Sequence, residues 1–240
     1  MSKMPMYEYF KIKNLCSGYG KKQVLYDVSL DIKKGETILL VGSNGSGKST
    51  LLKAIYGLID VWSGTVEYNN WVLQSKDQKT PTHKLIEKGI MYIPQKNALF
   101  EDMTVEDNIK ASLLHFGNNK KTQRTVLQVL EQMPDLNKQK KQFANRLSGG
   151  ERKQLSLAMV IANAPQILLY DEPLAGVSKK NIPKVMHCLR QISDNGTTML
   201  IVEHRVKELM SFADTIIGLK FGCLHTENLF TLENIKSFMI

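Results

Sequence analysis

Cysteine is scarce in this chain: Cys16, Cys188 and Cys223 are the only three in 240 residues. Odd in number and far apart, they exclude a disulfide framework and paired metal-ligand spacing, and point to reduced thiols in a cytoplasm. Long apolar runs are missing too. The most apolar stretches, such as residues 167–170, are far too short to span a bilayer. The first fourteen residues mix Tyr, Phe and Lys without the apolar segment of a secretory signal, so the chain reads as soluble. Acidic residues are outnumbered, 23 against 32 Lys and Arg, for a formal net charge of +9. That balance favours an anionic partner (nucleotide, nucleic acid or a membrane face) and does not choose among them. Internal repeats and low-complexity linkers are absent, so the length suits one large α/β domain, with or without a small appended lobe.

What is present centres on one stretch: Gly42, Ser43, Asn44, Gly45, Ser46, Gly47, Lys48, Ser49 and Thr50. It follows an apolar run at 37–41 and precedes a helix-like run at 51–56. This is G-x-x-x-x-G-K-S between strand and helix, the context a phosphate-binding loop requires. The glycines let successive N–H groups point inward to cradle a β-phosphate. Lys48 reaches the β/γ-phosphates and Ser49 ligates Mg²⁺. A nucleoside triphosphate is the expected ligand. The guanine-reading pattern N-K-x-D is lacking, since the nearest string, Asn137-Lys-Gln-Lys140, has no aspartate; a regulatory GTPase is disfavoured.

Alternation predicts strands at 7–15 and 26–32 with a turn at 17–20. Tyr19, among glycines in that turn, is placed to stack on an adenine base. A short strand at 64–68 turns at Asn69-Asn70; residues 74–81 read as loop, and Trp62 and Trp71 as packing residues. The strand at 90–93 is stopped by Pro94, and Gln95 follows. From 96 to 146 helix formers dominate, with Thr104 as an N-cap, a break at 118–121 and an end at Met133-Pro134. This stretch reads as a helical lobe inserted into a sheet domain made of 1–95 and 147–240.

Ser148 and Glu151 form a capping box that leaves Gly149 and Gly150 in the first helical turn with bare N–H groups. That suits a second anion site, yet no lysine accompanies it. Residues 167–171 read as a buried strand delivering Asp171 and Glu172 to the sheet edge where phosphate and Mg²⁺ belong. Asp171 is the partner of Mg²⁺, and Glu172 is a general base for a water aligned with the γ-phosphate. His204, with Glu203 at the end of a strand over 197–202, reaches the same edge and the γ-phosphate. Helices are expected at 182–193, 206–212 and 232–239, with a strand at 214–219.

Together these motifs resemble the ATP-binding cassette subunits of ABC transporters along nearly the whole chain. The resemblance implies a P-loop NTPase cassette: a mixed sheet core, an antiparallel β subdomain and an inserted α-helical subdomain. It implies Mg-dependent ATP hydrolysis by a dimer, homodimeric or paired with a related subunit, that sandwiches two ATP. Tyr19 is then the adenine-stacking aromatic, and Gln95 contacts metal and water and links the site to the lobe. Leu147 to Glu151 bind the γ-phosphate of the nucleotide on the opposing subunit, Glu172 is the base and His204 the switch histidine. Many members carry aspartate where this chain has Ser178, which puts that cross-dimer contact in doubt. The closest subgroup resemblance is to branched-chain amino acid importers, carried by Lys88 to Gln95, Met133 to Leu136, Leu174 to Val177 and Val202 to His204; lipopolysaccharide-export ATPases are similar too. The implied partners are integral membrane transporter subunits, with the chain peripheral on the inner membrane face. A non-transport ABC ATPase acting on nucleic acid is the remaining alternative. It is disfavoured because those chains usually carry two cassettes or a long coiled-coil insertion, so no nucleic acid partner is expected.

Overall fold

In a computed structural model of the chain, which describes residues 9–96, 98–114, 125–225 and 235, two sheets share one core. The first pairs β1 (Phe10–Tyr19), β2 (Lys22–Ile32), β4 (Val61–Tyr68) and β5 (Trp71–Ser75) antiparallel in the order β2-β1-β4-β5. The second runs β10-β9-β3-β8-β7-β6. It comprises β3 (Thr37–Val41), β6 (Ile90–Ile93), β7 (Ile167–Asp171), β8 (Thr198–Val202), β9 (Thr215–Lys220) and β10 (Cys223–His225), parallel except where β10 turns back on β9.

Strands β3, β7 and β8 are buried at every position, as expected of central parallel strands covered on both faces. Period-two alternation divides their side chains. Ile38, Leu40, Ile167, Leu169, Leu200 and Val202 face a cluster shared with the antiparallel sheet and α1 (Lys48–Ile55). Leu39, Val41, Leu168, Tyr170, Met199 and Ile201 face a cluster shared with α6 (Gly149–Asn163) and α7 (Ile182–Asp194).

Between Gln95 and Ser148 lie α3 (Val105–Leu113), α4 (Val126–Gln132) and α5 (Pro134–Lys138). Thr104 caps α3, its hydroxyl accepting from the Asp107 N–H. Val105, Ile109, Leu130 and Leu136 enter the same cluster as Leu155 and Ala158 of α6, so these helices rest directly on the sheet's cover. The expected break at 118–121 lies outside the described residues. Of the expected helix at 232–239 only Ile235 is described, and it is buried. Among the described residues no helix is long and apolar enough to cross a membrane.

Local expectations need correction in several places. The supposed turn at 17–20 is strand: β1 runs to Tyr19, which pairs with Lys22, and the chain reverses at Gly20-Lys21. Gly18 marks a close approach instead, because a Cβ there would stand 2.1 Å from the Lys22 carbonyl oxygen. The strand expected at 64–68 begins at Val61. Residues 74 and 75 belong to β5, and Gln74, expected in a loop, is buried opposite Val66; pairing, not polarity, decided that position. A short helix, α2 (Thr82–Glu87), was not anticipated. The helix expected over 206–212 shortens to α8 (Val206–Leu209). Trp71 is exposed, and the Lys88 ammonium caps its ring at 3.0 Å from the centroid rather than a core packing it.

Candidate active site

Parallel strands deliver their carboxyl ends to one edge, and the loops that follow β3, β6, β7 and β8 meet there. After β3 the backbone coils into α1 with Gly47 at the N-cap in left-handed conformation, φ 107°. A Cβ at that position would also press on Leu25, 3.1 Å away, so only glycine suits. Lys48 is buried, and its ammonium donates to the Gly42 and Ser43 carbonyls at 2.8 and 2.9 Å. Burial pushes that ammonium below its ordinary value, and the nearby Glu172 and Asp171 charges oppose the shift.

Asp171 ends β7, buried, and accepts from the Ser49 hydroxyl at 3.1 Å. Burial pushes its carboxyl up, opposed first by the Ser49 bond. A hydroxyl and one carboxylate are hard oxygen donors. Among the described residues no group of three His, Cys, Asp or Glu could hold a metal by itself. This donor set therefore fits Mg²⁺, which is commonly held by one or two carboxylates together with substrate phosphates.

Glu172 follows at φ 52°, a strained conformation for a residue with a side chain. Its N–H donates to the Val202 carbonyl at 2.9 Å, and its own carbonyl accepts from the Lys153 ammonium at 3.0 Å. The carboxylate is held at both oxygens: Gln95 Nε2 donates to Oε2, and His204 Nε2 lies 3.1 Å from Oε1. A pocket of about 150 Å³ is lined by Lys48, Ser49, Glu172 and His204, with Asn44 and Gly45 among its other walls. Glu172 thus joins Gln95 and His204, which lie 109 positions apart in the sequence.

Ser148 and Glu151 make the reciprocal capping box of α6, and Gln139 donates to the Glu151 carboxylate at 2.6 Å. Gly149 and Gly150 line a cleft of about 450 Å³ with Ser148, Glu151, Ser178 and Lys180. That cleft shares no lining residue with the phosphate-loop pocket. The space beside each glycine is already occupied. A Cβ at 149 would lie 2.9 Å from the Gly176 carbonyl oxygen, and one at 150 would lie 2.5 Å from the Asn181 amide. Tyr19 sits at the β1–β2 hairpin end, 45% exposed. Leu99 packs partly into the core and lines a third cleft beside Gln95, whereas Phe100 is 53% exposed.

Two residues gained weight only in three dimensions. Glu203, beside His204 in sequence, is buried, and its carboxylate accepts three main-chain N–H bonds. Lys153, one turn into α6, has an ammonium that reaches the main chain of the Glu172 turn. No local pattern could have marked either, although a glutamate directly after the apolar run at 199–202 is a weak signal.

Residues 25–175 match the family described as ABC transporter. The high-affinity branched-chain amino acid transport ATP-binding protein BraG of Pseudomonas aeruginosa is 32% identical over 220 residues, 91% of this chain and 92% of that one. The probable branched-chain amino acid transport ATP-binding protein LivF of Archaeoglobus fulgidus is 36% identical over 209 residues, 87% of this chain and 86% of its own. Among solved structures, a dimeric post-hydrolysis state of the ATP-binding cassette MJ0796 bound to ADP and Pi superposes with a TM-score of 0.77 at 28% identity. It covers 92% of this chain and 98% of that one. A nucleotide-free ATP-binding cassette from an ABC transporter gives a TM-score of 0.78 at 25% identity, covering 96% and 94%.

Proposed function

This chain belongs to the ABC transporter ATPase family and binds and hydrolyses ATP, and we propose that it powers a branched-chain amino acid importer. It does so as a dimer docked on integral membrane subunits at the inner membrane face. The observation that carries the reading is the meeting of Ser49 with Asp171, and of Gln95 and His204 with Glu172, with Ser49, Glu172 and His204 on the walls of the phosphate-loop pocket. The importer assignment is supported by relatives named for that transport, which align along most of both chains.

Tyr19 stacks on the adenine. The N–H groups of residues 42–50 and the α1 N-terminus hold the phosphates. Lys48 exchanges the Gly42 and Ser43 carbonyls for the β/γ-phosphate oxygens. Ser49, Asp171 and the Gln95 amide oxygen would hold Mg²⁺, which would offset charge on the transferred phosphoryl group. Glu172 takes the proton of the attacking water, its carboxylate aimed by Gln95 and His204. Its strained backbone is held by the Val202 and Lys153 bonds, which set the carboxylate before the nucleotide arrives. His204 also contacts the γ-phosphate. The Ser148–Glu151 helix start, in its separate cleft, serves the nucleotide of the opposing subunit; the motif carries no lysine of its own, and Lys180 lines the cleft beside it. Ser178 lies in that same cleft and would make a shorter, neutral contact in place of aspartate.

The helices α3, α4 and α5, between Gln95 and Ser148, form the helical subdomain. Its junction with the sheet, at Gln95 and Phe100, receives the membrane partner, so that docking and nucleotide state bias one element. The test is to purify the chain from membranes with its bound partners and measure ATPase activity of that complex. A rise with leucine, isoleucine or valine is expected. A rise with lipopolysaccharide instead, or stimulation by nucleic acid with no membrane partner retained, would overturn the assignment.

A further inference from the structure

Glu203 follows β8 and is 2% exposed. A buried carboxylate needs compensation, and here it comes from main chain on two loops. Oε2 accepts from the Leu174 N–H at 2.8 Å, 29 residues back in sequence. Oε1 accepts from the His204 and Arg205 N–H groups at 2.7 and 3.0 Å. The Lys153 ammonium lies within range of its charge. Next door, exposed Arg205 adds a second stitch between the same loops, donating through Nη1 to the Val177 carbonyl at 2.7 Å. Residues 203–205 therefore grip residues 174–177 at both ends.

That gripped loop touches both halves of the machinery. At its start, the Ala175 N–H donates to the Glu172 carbonyl at 3.2 Å. Further on, the Gly176 carbonyl lies so close to Gly149 that a Cβ there would stand 2.9 Å away. A displacement of His204 would thus be transmitted through Glu203 to the Glu172 turn and to the start of α6. We propose that Glu203 is a positioning residue for hydrolysis: its buried carboxylate locks the His204 backbone to the 174–177 loop, holding Glu172 and the Ser148–Glu151 helix start in register. This rests on the reading of Glu172 as the base.

Glu203→Gln keeps the shape but has only one acceptor oxygen, and its NH₂ group must confront an N–H on one of the two loops. One loop then loses its anchor. Since small misplacements at a reacting centre are costly, kcat for ATP should fall about 10- to 100-fold. Equilibrium ATP affinity, governed by the phosphate loop, should change less than about twofold. Arg205→Ala removes the exposed stitch and disturbs no buried charge, so it tests the grip even where Glu203→Gln lowers the Tm. Its kcat should fall about three- to tenfold with affinity unchanged. Glu172→Gln is measured in parallel. If it abolishes turnover while both other variants keep wild-type kcat, the positioning role fails and the base assignment stands. If Glu172→Gln itself retains turnover, the base reading fails. A parallel loss of affinity, kcat and Tm in Glu203→Gln, with Arg205→Ala silent, would mark Glu203 as structural only and overturn the proposal.

Discussion

Glu172→Gln separates binding from chemistry, because the site can accept the amide without rearrangement. The Gln95 Nε2 donation needs only one acceptor oxygen, which glutamine keeps. The new NH₂ group would face His204, whose Nε2 can accept once the proton sits on Nδ1. The Val202 and Lys153 bonds that pin the turn involve residue 172 only through its main chain and are untouched. Folding and ATP binding should therefore persist. Loss of a general base costs about 10²- to 10⁴-fold, equivalent to about 2.7–5.4 kcal/mol on the barrier at roughly 1.36 kcal/mol per decade. Phosphate release measured at saturating MgATP should fall by that factor, and size-exclusion chromatography with ATP should show an accumulated dimer. Turnover above about a tenth of wild type would place the base elsewhere, since no isosteric amide substitutes for a carboxylate in proton transfer. A strictly monomeric elution with ATP would remove the support for a shared site.

Mixing a Lys48→Ala chain with a Gly149→Asp chain should restore partial ATPase activity, because one of the two sites in each heterodimer would be intact; no rescue from folded, pairing chains would refute the shared site. Phe100→Glu, at an exposed position, should abolish membrane association while leaving basal ATPase activity and stability within about 0.5 kcal/mol. Fractionation of cell membranes reads the first and urea unfolding the second, and unchanged recruitment would exclude this docking face. Leu99 is the poorer probe because it packs into the core. The Glu151 carboxyl is held below its ordinary value of 4.5, first by the Gln139 bond and then by Ser148. A depressed acid contributes stability that is complete above its unfolded value and is lost as pH falls through its folded value. The stability gap between wild type and Glu151→Gln should thus be constant near neutrality and close as pH drops below about 4; a gap independent of pH would refute the charge contribution.

What the sequence determined by itself was everything encoded contiguously. The phosphate loop is legible because nine adjacent residues carry both its backbone freedom and its cation. The central strands β3, β7 and β8 are legible because burial on both faces leaves an unbroken apolar run. The α6 start is legible because a capping box closes within four residues. Tertiary structure alone decided whatever depends on which main-chain groups lie nearby. Gly18 passed for a turn because a glycine's reason is the neighbour it admits, and that neighbour was the Lys22 carbonyl across a hairpin. Trp71 passed for core because nothing in its own segment announces that Lys88 covers it. Glu203 had no visible task because the amide it anchors lies 29 residues away, on a loop that meets it only once β7 and β8 are paired. A side chain's type travels with the sequence; the partners that give it work are assembled by the fold.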